Sequence, residues 1–334
     1  MMAGLLLTTA LFATAAIAAP SNGSAGANNL YVALVRSAPA NWPQPFWNKN
    51  WTNVHFDINA TVDQAVDLIT EAAHPERRSY YPKGIDEAWI ETHAQDYFDN
   101  SLEVGDQNWE KLISAAKDNH IFTALAFSHK QSSSIYMGQA LLSPQGEIFI
   151  FRHKLRPSGI ERSFWSDGDT HGLQVVETPL GRTGLLECWE HFHPSMTFNM
   201  QAQLESLHIA SFPYMPNAND PNALYWESLE VNSAAARLYA VNSGAVTLFT
   251  SVGYAAVYSG EGLTIAEISA DAEEPMLYAE IDTSGFDKNV TYDVDGEQSW
   301  GTLQQIVGSW PDYIPKVNGS FVERKVITLE EIFG

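Results

Sequence analysis

The chain of 334 residues carries a single cysteine, Cys188. It cannot close an intrachain disulfide, so whatever fold it adopts has to be held by buried apolar surface. Hydrophobic residues make up 45 % of the sequence and aromatic residues 12 %, enough for a substantial core. Neither a low-complexity linker nor an internal repeat divides the chain, which favours one large domain. A lone cysteine reads first as a small buried hydrophobe. Its setting in "GLLECWEHFHP", Gly184 to Pro194, between an apolar run and the polar cluster Trp189-Glu190-His191, keeps a second reading open, a reactive thiol.

Residues 1–19, "MMAGLLLTTALFATAAIAA", are an apolar stretch ending in small residues and are expected to be a cleaved secretory signal. The polar, glycine-rich residues 20–29 are then expected to form a flexible mature N-terminus. Five N-x-S/T sequons follow, at Asn22, Asn50, Asn59, Asn289 and Asn318, and they fit a glycosylated, secreted, extracellular protein. No later stretch approaches the roughly 18 consecutive apolar residues of a membrane span. A formal charge of −22 argues against nucleic acid and anionic membranes as partners, because both need basic patches.

Elements alternate along the chain. "YVALVRS" (31–37) reads as a buried strand, and Val62, Ala65, Val66 and Ile69 recur at helical spacing after Asn59-Ala60-Thr61. Trp109, Leu112, Ile113 and Ala116 mark a second helix that runs into the strand "IFTALAFS" (121–128). "IYMGQALLS", the turn "PQGE" and "EIFIFRHKL" predict a hairpin that delivers Lys154 at its far end. "GLQVVETP" and "GRTGLLEC" form the next strand pair, which places Cys188 where a strand stops. A helix over "PSMTFNMQAQLES", the strand "HIASFPY", and a helix closing on Gly244 come next. Three further strand-like runs follow, and the tail after Asp282 has no clear period. The class is α/β with layered helices and sheets.

A cysteine at a strand tip entering a helix can have its thiolate favoured by backbone N–H groups and the helix dipole. Attack then needs a base for its proton and a donor or cation for the negative charge that develops on the substrate. The motif "LLECWEHFHP" resembles the cysteine motif of the nitrilase branch of the carbon–nitrogen hydrolase superfamily. "FRHKLRPSGIERSFWSDGD" (151–169) resembles its lysine motif, and "AVNSGAVTLFTS", "MLYAEIDTSGFD" and "TYDVDGEQSWG" resemble later segments, particularly those of fungal nitrilases. The resemblance spans about Leu30 to Pro315, which would make 30–315 the hydrolase domain and 316–334 a tail.

The resemblance implies a four-layer αββα sandwich, a Glu-Lys-Cys triad, no metal or organic cofactor, and homodimers or larger homo-oligomers paired through the face next to the cysteine. Carried over by motif, Cys188 is the nucleophile, Lys154 stabilises the charged tetrahedral species, and Glu161 positions groups near the lysine. Outside the motif, Lys154 and Glu161 would read as solvated surface charges. Glu76, in "HPERRSYYPKG", is the candidate general base; here the segment between Ala73 and Tyr81 is shorter than the family's, lacks its apolar strand, and carries Arg77-Arg78 where apolar residues are usual. Glu190 and His191 follow the nitrile-processing Trp-Glu-His pattern, and with Trp189 and Trp165 they are the candidate substrate-binding residues. His191 reads equally as a half-buried structural histidine, Trp189 as core packing, and His193 as structural.

The implied activity is a secreted nitrilase that converts a small organic nitrile, aromatic or arylaliphatic, to the acid and ammonia through a thioimidate and an acyl-enzyme. The alternatives are a cyanide or nitrile hydratase of the same family, which stops at the amide, and a catalytically impaired nitrilase-fold protein used for binding or assembly.

Overall fold

The structure is a computed structural model, and it describes residues 14–18, 29–38, 40–41, 55–73, 87–221, 223–269, 272–283, 299–310 and 324–333. In chain order the elements are β1 (Thr14–Ala18), β2 (Asn29–Val35), α1 (Ile58–Ala73), α2 (Glu87–Asp99), α3 (Gln107–Asp118), β3 (Ile121–Gln131), β4 (Ser134–Leu142) and β5 (Ile148–His153). They continue with β6 (Val175–Thr178), β7 (Gly181–Glu187), α4 (Pro194–Gln201), β8 (Leu207–Phe212), α5 (Leu229–Ser243), β9 (Val246–Ser251), β10 (Tyr254–Tyr258), β11 (Thr264–Ile268), β12 (Met276–Asp282), α6 (Trp300–Gly308) and α7 (Leu329–Phe333).

α1, α3, α4 and α5 form where the sequence predicts helices, whereas α6 and α7 lie in the tail after Asp282, where no element is predicted. Asp57 Oδ1 accepts the Ala60 N–H at 2.9 Å and starts α1, while Asp106 accepts the Trp109 N–H at 2.7 Å and starts α3. The α3 stripe of Trp109, Leu112 and Ala116 is fully buried. Ser228 caps the start of α5, and Gly244, left-handed at φ 69°, ends it. The expected hairpin is β4–β5, and α2 is a helix that the sequence patterning did not single out.

Two six-stranded sheets result, in the orders β12-β2-β1-β3-β4-β5 and β11-β10-β9-β8-β7-β6. Their facing surfaces share one core, in which Leu34, Phe122, Leu141 and Ile150 meet Leu185, Ile209, Leu248 and Val257. On the outer face of the first sheet, Val62, Ile69, Trp89 and Trp109 of the helices pack on Leu125, Phe127 and Met137. On the outer face of the second, Met200 and Tyr239 cover Leu186, and Ala236 and Ala240 cover Ala210 and Phe249. The architecture is the expected αββα sandwich. Strands buried on both faces read as continuous apolar runs, which is why β4 is buried at all nine of its residues.

Within the second sheet β7, β8 and β9 are parallel, connected through α4 and α5. Cys188 follows β7 directly, at the carboxyl end of these parallel strands, where α/β sheets place their ligand sites. Residues 324–333 return to the first sheet: the Ile327 N–H donates to Ser166 Oγ at 2.7 Å, and Leu329 and Ile332 pack against the outer core. Among the described residues no helix is long and apolar enough to cross a membrane.

β1 lies inside the segment whose composition reads as a leader. It is hydrogen-bonded antiparallel on both sides, with Ala16 opposite Ala33 of β2 and Thr123 of β3. An alanine-rich stretch suits an apolar leader and an interior strand alike, and here the backbone supplies the ladder between β2 and β3. Removing it leaves the N–H and C=O groups of two interior strands without partners. Ala16→Pro deletes a ladder donor from a strand flanked on both sides, and thermal unfolding should show a fall of at least about 5 °C. An unchanged melting temperature would mean that β1 contributes nothing to the sheet.

Candidate active site

Lys154 directly follows β5 and is fully buried. Its Nζ donates to Glu161 Oε2 at 2.8 Å, and the same oxygen accepts the Ser158 N–H at 2.6 Å. Burial disfavours the ammonium, but the attraction of Glu161, reinforced by Cys188 and Glu187, raises the pKa of Lys154 above its usual value, so the side chain is a permanent cation. Gly168 holds the neighbouring backbone close, its N–H donating to the Lys154 carbonyl at 2.9 Å; a Cβ here would lie 2.5 Å from the His153 oxygen and 2.6 Å from that of Lys154. The glycine of "SDGD" is thus required by a close backbone approach.

Cys188 opens a 3-10 turn, Cys188–Phe192, and adopts φ 43°, the left-handed region that a residue with a Cβ enters only under strain. The sulfur sits in a site where burial pushes the thiol up to about 12, although Lys154 and a hydrogen bond from the Trp189 N–H pull the other way. The helix-terminus effect expected from the sequence is therefore outweighed, since desolvation of a thiolate exceeds what one short turn returns. Attack by this cysteine has to be coupled to removal of its proton.

Glu190 links the two motifs. Its Oε1 takes Arg152 of β5 at 2.6 Å and the Leu155 N–H at 2.9 Å, and its Oε2 takes the Glu187 N–H at 2.8 Å. Both members of the ion pair are buried. Burial opposes the charge on Glu190, but Arg152 and these backbone donors hold its carboxyl below the usual range. Arg152 also donates to the Gly172 carbonyl at 2.9 Å and to Gln139 at 2.5 Å, and Gln139 reaches across to the Leu186 carbonyl and Ser211. One carboxylate therefore fixes the residue after the lysine and the residue before the cysteine.

The candidates from the sequence separate accordingly. Cys188, Lys154 and Glu161 come together. Glu190 is consumed by Arg152 and the backbone. His191 is buried, its Nδ1 on the Cys188 carbonyl at 2.7 Å and its Nε2 on His208 at 2.9 Å. Trp189 is half-buried, edge-on to Trp226 at 4.7 Å and beside Phe192. Trp165 lies in the outer core of the first sheet, its indole N–H on Ser128 at 3.1 Å. His193 is exposed. Glu76 lies outside the described residues. So do Asn22, Asn50, Asn289 and Asn318, while Asn59 is exposed in the first turn of α1.

Sequence reasoning passed over Glu187, the residue before Cys188. It is buried, faces Lys154 and Cys188 electrostatically, and has its carboxyl pushed by burial to about 8, so it is largely protonated at neutral pH. A carboxylic acid in the apolar strand "GLLEC" was the available signal. A cavity of about 390 Å³ opens between the end of the turn, α4 and α5, lined by His191, Phe192, Thr197, Leu238 and Tyr239 among others. Cys188 and Lys154 do not line it.

Residues 34–287 match the family described as Carbon-nitrogen hydrolase. The chain belongs to this family, in its nitrilase branch. An arylacetonitrilase of Aspergillus kawachii is 30 % identical over 264 residues, covering 69 % of this chain and 80 % of that protein. A nitrilase of Talaromyces marneffei is 25 % identical over 322 residues, covering 83 % of this chain and 96 % of its own. Among solved structures, an amidase of the nitrilase superfamily from Nesterenkonia AN1 matches with a TM-score of 0.55 at 15 % identity, over 77 % of this chain and 93 % of that one. A branch 10 member of the superfamily from Saccharomyces cerevisiae matches at 0.54 and 16 %, over 78 % and 93 %. These two likenesses concern the fold.

Two outcomes test this geometry in the hydrolase. Glu190→Gln leaves the buried Arg152 without its counter-charge and should cost about 3–5 kcal/mol in denaturant unfolding. A loss under about 1 kcal/mol would show that the pair is not desolvated. Alkylation of Cys188 by iodoacetamide should keep accelerating from pH 7 to pH 10, because the thiol is held up; a plateau near the ordinary cysteine pKa of about 8.5 would contradict that.

Proposed function

We propose that this carbon–nitrogen hydrolase converts an organic nitrile to the carboxylic acid and ammonia. The observation that carries the reading is a buried thiol on a strained turn, facing a lysine whose charge is secured by Glu161. As the thiol loses its proton to a base, sulfur bonds to the nitrile carbon and the nitrile nitrogen takes up a proton, giving a thioimidate. Water adds, ammonia leaves, and the thioester is opened by a second water, returning the thiol. Lys154 is the preorganised charge that meets each tetrahedral species.

Glu76 takes the base role by resemblance. Among the described residues the carboxyls that face the thiol electrostatically are Glu161, which is held on Lys154, and Glu187. An aromatic substrate is favoured by the Trp189–Trp226 pair beside the nucleophile and by relatives named arylacetonitrilase. Export is supported by the apolar stretch 1–19 and the sequons. Cleavage after Ala19 would strip β1 from the sheet, so N-terminal sequencing of the protein from the medium decides whether residues 14–18 are retained. Self-association is supported by the α4–α5 face, where Leu238 is 60 % exposed beside the cavity.

With phenylacetonitrile as substrate, the expected products are acid and ammonia; amide alone would indicate a hydratase. Cys188→Ala should abolish turnover with the fold intact, and Lys154→Ala should lower kcat on the order of a hundredfold or more. Ammonia release that survives Cys188→Ala sinks the reading. No turnover of any nitrile by a chain whose Cys188 still alkylates would favour a binding or assembly role. Analytical ultracentrifugation should find a dimer or larger species that Leu238→Glu dissociates, and a monomer throughout the micromolar range would remove the oligomer.

A further inference from the structure

Behind the nucleophile turn lies a row of buried titratable groups that the proposed chemistry does not use. His191 Nδ1 sits 2.7 Å from the Cys188 carbonyl, and its Nε2 sits 2.9 Å from His208 Nε2. His208 Nδ1 sits 2.8 Å from Glu205 Oε1, and the Tyr239 hydroxyl donates to Glu205 Oε2 at 2.5 Å. Glu205 and His208 are wholly buried, Tyr239 is 2 % exposed and His191 7 %. Gly184 of β7 makes the room: a Cβ there would fall 2.2 Å from Glu205 Oε1.

The donors in this row are fixed by one fact. A carbonyl oxygen only accepts, so His191 Nδ1 carries hydrogen and donates to Cys188. A neutral His191 then accepts at Nε2, which makes His208 Nε2 the donor. A neutral His208 accepts at Nδ1, which makes Glu205 Oε1 the donor. Glu205 is thus a protonated acid whose other oxygen accepts from Tyr239. Moving its proton onto either imidazole leaves the count unchanged: the row holds one proton that can be lost.

We propose that Glu205, His208 and His191 are positioning residues, a one-proton hydrogen-bond chain that holds the Cys188 carbonyl and with it the left-handed nucleophile turn, and that loss of this proton at alkaline pH releases the turn. When Glu205 ionises, its carboxylate draws His208 into the Nδ1–H form. His208 Nε2 then faces His191 as a lone pair, and His191 turns to its own Nε2–H form. A lone pair now opposes the Cys188 carbonyl where a donor stood. The site of deprotonation and the site of its effect are thus separated by two imidazole rings.

The surroundings agree. Burial pushes Glu205 up to about 8, against the donors Tyr239 and the Gly184 N–H, and pushes both His191 and His208 down to about 3. The mobile proton therefore rests on Glu205 in the neutral range. The charged groups that reach the row are Arg152 of β5 and Glu190 of the turn, which neutralise each other as an ion pair, and the titratable group packed on it from α5 is Tyr239. α4 contributes Met200, an apolar side chain, to the same place.

The inference rests on Cys188 being the nucleophile, and Glu205→Gln tests it. Glutamine presents an amide N–H to His208 and an oxygen to Tyr239, which copies the protonated acid and cannot be deprotonated. Nitrogen NMR of histidine-labelled protein should show the wild-type His191 passing from Nδ1–H to Nε2–H as pH rises through about 8, while Glu205→Gln keeps Nδ1–H to pH 9.5. In parallel, kcat for phenylacetonitrile should fall on the alkaline side in the wild type. That limb should move up by at least about one pH unit in Glu205→Gln, with KM unchanged and kcat at pH 7 within about threefold of wild type.

Because the folded-state pKa of Glu205 is raised, its contribution to stability is lost progressively as pH climbs from the unfolded value of about 4.5 to about 8. The wild type should lose stability across that window more steeply than Glu205→Gln. An Nδ1–H signal that persists in the wild type, or identical tautomer changes in both proteins, would overturn the chain. If no nitrile is turned over, the proposed activity fails, but the tautomer and stability comparisons still decide this inference.

Discussion

The ion pair between Arg152 and Glu190 is the contact on which the site depends. Two charges buried together lose their hydration, and their attraction repays that loss only when the remaining hydrogen-bonding positions are filled. Here they are: Arg152 meets Gln139, the Gly172 carbonyl and Glu190, while Glu190 also takes two backbone N–H groups. Because Arg152 belongs to the first sheet and Glu190 follows a strand of the second, the pair sets how the two sheets meet at the end where Cys188 sits. Gln139 extends the same network to the backbone of Leu186.

The protons in the site follow from that burial. Low polarity keeps the Cys188 thiol and the Glu187 carboxyl protonated, while Lys154 retains its charge because Glu161 is in direct contact. The resting site thus pairs a neutral thiol with a fixed cation. Such a site gains most when negative charge appears on the substrate, which is the condition for stabilising a transition state above a ground state. Cys188 is held at φ 43°, and the His191 donor on the carbonyl of the same residue opposes relaxation of that strain.

Much of this frame is legible in residue patterns. The α3 stripe, the hairpin ending at Lys154, and the strand ending at Cys188 follow from local periodicity and turn chemistry. α2 carries the same signal as α3, since its buried residues Ile90, Ala94, Tyr97 and Phe98 recur at helical spacing, and it was legible although the sequence reading did not take it up. β1 was not legible, since small apolar residues satisfy a leader and a strand equally. The resemblance offers Glu190 and His191 as substrate-binding residues, with a structural histidine as the equal reading of His191, and a pattern of residue types says nothing of the direction in which a side chain points.

The sequence by itself determined that the fold must rest on an apolar core, that helices and strands alternate in layers, and that Cys188 and Lys154 lie at strand ends. Those are consequences of composition and short-range geometry, while only the family resemblance joined the cysteine and the lysine in one site. Only the tertiary structure decided which charges neutralise one another, which way the histidines donate, and whether the thiol is ionised. Each of those depends on burial and on partners tens of residues away, such as Arg152 with Glu190 and Glu205 with Tyr239, and local sequence carries no information about distance between segments that meet only when the sheets close.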